Sequence, residues 1–216
     1  MNVTQSIRNP GSINVYGSYL LRADPDLALV VFDVDRVDAQ PAEAFAATRS
    51  AVEQVRKFLS TAGVASADVQ TTRTTLQLAT TGYGVDMKVI GHRAKVGFSV
   101  TVRSLDNLES IVVGIVGAGA HSIQNVRFET SKLKELRAEA RRGAVAAARD
   151  KAQVYASAAG VGVGKVLHIE DVNPESASRR GHAVDLDLSA FDESAGTPNG
   201  ALTIAAAVML AFAIVT

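Results

Sequence analysis

Gly117 to Val172 reads GAGAHSIQNVRFETSKLKELRAEARRGAVAAARDKAQVYASAAGVGVGKVLHIEDV. Ile123, Val126 and Phe128 mark a short apolar strand, and their imperfect alternation points to a bulge near Asn125. A long helix follows. Ser131 stands where a cap belongs, and Glu135 lies in the early turns where a negative charge suits the helix dipole. Leu133, Leu136, Ala140, Ala144, Ala147 or Ala148, Ala152, Tyr155 and Ala159 trace one stripe. Side chains this small let another helix or a sheet approach closely. Gly160 is placed to end the helix, and Lys165 to Val172 resumes as a strand.

Working outward, the same grammar recurs. Ser12 to Ser18 is a short strand with Ile13 and Val15 on one face. Asp24-Pro25-Asp26 turns the chain into Leu27 to Val37, where Ala28, Val30, Phe32 and Val34 share a face and Asp33 and Asp35 point the other way. Pro41 fits the first turn of a helix whose stripe is Phe45, Thr48, Val52, Val55, Leu59 and Ala62, stopped by Gly63. The threonine-rich stretch Val69 to Thr80 favours an extended chain. After the turn Gly82-Tyr83-Gly84 comes the clearest strand, Arg93 to Arg103. There Ala94, Val96, Phe98, Val100 and Val102 alternate with Arg93, Lys95, Ser99, Thr101 and Arg103, which predicts one buried face and one wet face in an antiparallel sheet. Leu105 to Val116 is a helix closed by Gly117 and Gly119.

Of 216 residues, 47% are hydrophobic and 20% charged, so the chain can bury a real core as one globular unit or two small packed lobes. Lys plus Arg equals Asp plus Glu at 22 each, which leaves no basic excess to hold nucleic acid. Cysteine is absent, so disulfides, thiol nucleophiles and thiolate metal sites are excluded. Met1 to Pro10 lacks the apolar block of a secretory signal. The sequence as written is therefore expected in the cytoplasm, and in the periplasm or cell envelope if its N-terminus has been trimmed. Ala201 to Thr216 has only two threonines as polar residues. As a helix it would reach about 24 Å, short of a hydrocarbon core of about 30 Å. Read with period two, Ile204, Ala206, Val208, Leu210, Phe212 and Ile214 oppose Ala205, Ala207, Met209, Ala211 and Ala213, a large face and a small one. A strand buried on both sides is the favoured reading over a membrane span, and a tail anchor is the alternative.

Ile13-x-Val15-x-Gly17, Pro25-Asp26, the Gly63 helix stop followed by Asp68 and Thr71, and Gly91-x-x-Ala94 occur in order along the chain. Leu105, Leu108, then Gly119-Ala120-x-x-Ile123-x-x-Val126-x-Phe128, the alanine-rich helix and Gly160-x-x-x-Gly164 continue the series. In their order and spacing these motifs resemble the SIMPL-domain family, which includes bacterial periplasmic immunogenic and stress-related proteins. The resemblance implies an α+β fold of mixed, largely antiparallel sheets packed against two long helices and one shorter helix. It also implies a homo-oligomer, ring-like in some members, and it carries no catalytic motif. On this reading residues 1–11 are an N-terminal extension and 12–172 the α+β domain. Residues 173–200 are an acidic loop, and 201–216 a C-terminal strand completing the same domain.

The residues themselves nominate no catalytic, cofactor-binding or metal site. Gly160-Val-Gly162-Val-Gly164 follows a helix and precedes a strand, the reverse of a dinucleotide fingerprint, and Gly114 to Gly119 is a helix end. His92, His121, His168 and His182 lie in different elements without helical ligand spacing. Asp33 and Asp35 have the look of paired carboxylates and equally of a solvated strand face. Ser122 beside His121 lacks a nucleophile elbow. One asymmetry stands out. Lys132 to Lys151 holds seven basic residues (Lys132, Lys134, Arg137, Arg141, Arg142, Arg149, Lys151) against three acidic, whereas Asn173 to Gly200 holds five acids against Arg179 and Arg180. Such runs mostly face water; the sharper expectation is that loop and helix meet across a subunit interface. The function that results is a non-enzymatic, self-associating protein with a stress-related or scaffolding role. The alternatives are a small-molecule binder or enzyme whose site sequence does not reveal, and a protein anchored through residues 201–216. No cofactor, nucleic acid or small molecule is implied.

Overall fold

The apolar run near the C-terminus forms a strand, and that strand organises one of two units. The computed structural model describes residues 11–82, 84–172 and 200–216. In chain order the elements are β1 (Ser12–Ala23), β2 (Leu27–Asp38), α1 (Pro41–Thr61), β3 (Val69–Thr71), β4 (Thr75–Thr81), β5 (Lys88–Val102), α2 (Leu108–Gly117), β6 (Ser122–Glu129), α3 (Leu133–Ala158), β7 (Gly162–Val172) and β8 (Leu202–Val215). Among the described residues all strand pairings are antiparallel, and the fold is α+β. The chain divides into Met1–Asp24 with Lys132–Thr216, and Pro25–Ser131. The expected extension, apart from Gly11, and the acidic loop, apart from Gly200, lie outside the described residues, as do Tyr83 and His182.

In the first unit β8 runs between β1 and β7. Its large face packs on α3: Ile204, Ala206, Val208, Leu210 and Phe212 are buried with Val15 and with Ala140, Ala144, Ala148 and Ala152. Ala207 and Ala211 on the small face are buried too, which accounts for the absence of charge along the strand. The buried row of α3 is Ala140, Ala144, Ala148, Ala152 and Ala156. It keeps a strict four-residue spacing, so the helix meets the sheet along one ridge, and Tyr155 points outward where the 3.6-residue stripe had placed it inward. Alanine there sets the distance. A Cβ added to Gly17 of β1 would fall 2.5 Å from the Ala148 nitrogen and closer still to the Ala144 carbonyl oxygen.

In the second unit the sheet order is β3-β5-β2-β6, with β4 also pairing β5. Ala28, Val30, Phe32 and Val34 of β2 and Val96, Phe98, Val100 and Val102 of β5 form the core with α1 and α2. Phe32 and Phe98 are direct cross-strand partners, stacked with centroids 4.8 Å apart. Each such fully buried side chain contributes about 1.5–3 kcal/mol through apolar burial. On α1 the buried face is Ala44, Thr48, Ala51, Val55 and Leu59. It is turned from the expected stripe, with Phe45 exposed, because the alanines admit the sheet more closely than phenylalanine would. Thr48 Oγ1 donates to the carbonyls of Ala44 (2.9 Å) and Ala94 (3.0 Å), fastening helix to sheet.

Helices α1, α2 and α3 stop alike. The residues after Gly63, Gly119 and Gly160 donate back five positions to Leu59, Ile115 and Ala156, and the glycines take the positive φ this geometry needs. Helix starts follow sequence less faithfully. Ser131 does not cap α3; its N–H and hydroxyl bind the Asp26 carboxylate at 2.7 and 2.5 Å. Beyond α1, Asp68 accepts two bonds from Arg103, Nε and Nη2 each at 2.7 Å. That guanidinium holds the Asp68 carboxyl below its ordinary 3.8.

Candidate functional site

Strand β2 has two chemistries because successive side chains leave on opposite faces. With Val30, Phe32 and Val34 directed to the helices, Asp33 and Asp35 stand on the other face of the sheet. The solvated carboxylates expected there are instead buried, Asp33 at 6% exposure and Asp35 at 9%. A buried carboxylate needs partners, and neighbouring strands supply them. Lys95 Nζ of β5 lies 2.8 Å from Asp33 Oδ2, and Gln124 Nε2 of β6 donates to the same oxygen. Asp35 has His121 Nδ1 at 3.4 Å and Arg93 Nε at 4.0 Å. The His121 backbone N–H also donates to the Asp33 carbonyl at 2.7 Å.

Local folding places each group. Arg93 and Lys95 are the wet positions of the alternating strand, where the sequence put them. Gln124 arrives through a bulge: β2 pairs Val31 with Asn125 but Phe32 with Ile123, so Gln124 is the extra residue. The sequence signalled that bulge one residue away. Gly97 sits opposite Asp33 in register, leaving room beside the carboxylate for Thr72, whose Oγ1 accepts from the Gly97 N–H at 2.9 Å. Arg36 donates to the carbonyls of Asp35 (2.6 Å) and Gly119 (2.9 Å), tying the strand to the turn that carries His121.

Chemically the cluster is self-satisfying. Two carboxylates face Lys95, Arg93 and an imidazole, and Gln124 completes the set. The His121 imidazole beside Asp35 is itself exposed to water. Ser122 Oγ accepts from Gln124 Nε2 at 3.3 Å. Among the described residues no group of three or more His, Asp or Glu is placed to hold a metal ion. A surface depression of about 110 Å³ lined by Arg56, Leu59, Ser60, Val64, Ser66 and Val69 shares no residue with the cluster. It is small beside the roughly 300–1,000 Å³ of ligand pockets.

The remaining candidates separate. His92 Nδ1 lies 3.3 Å from the Ala39 carbonyl, and His168 Nε2 is 3.9 Å from Glu170. Gly160 follows α3 while Gly162 and Gly164 belong to β7, so this glycine run is a helix stop and strand start. Of the basic helix, Arg141 Nε is 3.7 Å from Asp171 Oδ2 at the end of β7. The acidic segment expected to meet it lies outside the described residues. Among those residues no helix is long and apolar enough to cross a membrane, and 202–215 is a strand where a tail anchor would be helical.

Antiparallel sheets backed by helices, a charge cluster on one sheet face and alanine-mediated close packing define a small α+β protein. The chain belongs to the SIMPL family, described as a protein of unknown function (DUF541), whose sequence profile matches residues 13–212. It is 29% identical to the 26 kDa periplasmic immunogenic protein of Brucella melitensis over 175 residues, covering 78% of this chain and 70% of that protein. It is 28% identical to the uncharacterized protein YggE of Edwardsiella ictaluri over 169 residues, 76% of this chain and 70% of that one. Among solved structures, an amidase of the hydantoinase/carbamoylase family from Burkholderia phymatum aligns with TM-score 0.26 and 13% identity over 60% of this chain. The alignment spans only 34% of the amidase, and at that score it bears on neither fold nor function.

Proposed function

We propose that this chain is a non-enzymatic, self-associating protein of the bacterial envelope with a scaffolding or stress-related role. The observation that carries this reading is the hairpin of β4 and the start of β5. Leu76, Leu78, Met87, Val89 and Ile90 all stand exposed there, Leu78 at 63%. A cluster of large apolar side chains in water marks a surface made to be covered. The internally paired Asp33 and Asp35 cluster supports a structural use of the most chemically suggestive side chains. The periplasmic designation of the Brucella relative supports the location.

Static light scattering on the purified chain at micromolar concentration tests the reading. A discrete multiple of the 22.6 kDa chain mass is expected. A monomer at every concentration overturns it.

A further inference from the structure

We infer that β4 is an open sheet edge that pairs antiparallel with β4 of a second copy, about a two-fold axis through Leu78. This rests on the self-association reading above and specifies its contact. Thr75 to Thr81 reads TLQLATT, seven residues without a charge, proline or glycine. Among the described residues β4 pairs only with β5, and six of its seven residues are exposed. A free edge presents unpaired N–H and C=O groups to other strands, and proteins ordinarily blunt such edges with lysine, proline or a bulge.

The other edges are guarded. β7 carries Lys165, His168, Glu170 and Asp171 and shifts register against β8 twice. β6 carries the bulge at Gln124 and the Arg127 and Glu129 pair. β1 is buried at Val15, Tyr16 and Gly17. β3 has three residues.

The occupant follows from β4's own pattern. Pairing that overlaps all seven residues under a two-fold axis sets Leu78 against its own copy, Leu76 against Thr80 and Thr75 against Thr81. Directly opposed residues share a face, so the leucines of both copies gather on one side. Thr80 pairs with Val89 beyond a register shift in β5, which brings Val89 onto that same side. An uncharged strand meets its copy without like-charge repulsion, whereas a charged partner strand finds no counter-charge in β4. The contact is isologous and closes on itself, so a ring would need a second, different interface.

Charge placed at the axis tests this. Leu78→Lys and Leu78→Glu each put like charges directly opposite one another, and each is expected to lower the assembly mass by a factor of about two or more. An equimolar mixture of the two pairs opposite charges and is expected to regain the wild-type mass. Circular dichroism should be unchanged, because Leu78 is exposed in the single chain. Thr80→Lys, at another exposed edge position, should lower the mass likewise and serves if Leu78→Lys does not fold. Wild-type mass in all three variants overturns the edge contact while leaving self-association standing. Lowered mass without recovery in the mixture overturns the two-fold register. A monomeric wild type overturns both this contact and the reading on which it rests.

Discussion

Asp68 shows how one carboxylate contributes to the second unit. Because Arg103 lowers its pKa in the folded chain, Asp68 stabilises the fold at pH values above its unfolded pKa, and that stabilisation is lost as pH falls through the folded one. Arg103→Gln should therefore bring the Asp68 titration, followed by NMR of its carboxyl carbon, back up toward 3.8. The stability gap between wild type and variant should be present at pH 6 and close in strong acid; a gap that widens with acidity would contradict the pairing. Asp33 and Asp35 mark what a single sequence conceals at this scale. Their alternation placed them opposite the core, and that placement is correct. Their burial was not legible, since it depends on Lys95 from another strand and on a bulge that swings Gln124 inward. Ser131 misled for a similar reason: Asp26, distant in sequence, binds it before the helix can use it.

Among the elements, period and punctuation were legible and helix rotation was not. The glycine stops at 63, 119 and 160 and the alternation of β5 follow from rules that act within a few residues. The orientation of α1 and of the end of α3 depends on how closely each sheet approaches, which a stripe of 3.6 residues does not encode. Alanine at four-residue spacing was the visible clue, and Gly17 is its partner on the sheet. Gly17→Ala should force α3 away from β1 and cost about 3 kcal/mol, at the upper end of overpacking penalties. Urea denaturation with an unchanged m-value would measure it. A loss under 0.5 kcal/mol would show that the helix yields freely.

For the whole molecule, residues 201–216 bear on a strand or an anchor, and the strand that length favoured over a membrane span is the one observed at Leu202–Val215. Deleting them removes the middle strand of the β1-β8-β7 sheet and bares the alanine row of α3. The truncated chain should accumulate in the insoluble fraction, while a soluble, well-folded product would mean that the unit closes without β8. Family membership was readable because its motifs are spread along the chain in fixed order. The edge at β4 was passed over because exposure is a property of the folded sheet.

The pairing of β1 with β8 also sets a schedule for synthesis. Ser12 faces Ala213 across that ladder, so β1 waits for a strand made about two hundred residues later. Pro25–Ser131 is continuous and its described strand pairings are internal, so they can form once Ser131 has left the ribosome. The host unit must close its longest loop last, a slow step that leaves β1 and the alanine face of α3 uncovered on the nascent chain. Until β8 has been made those surfaces stay open to other chains, an exposure that follows from the strand order β1-β8-β7.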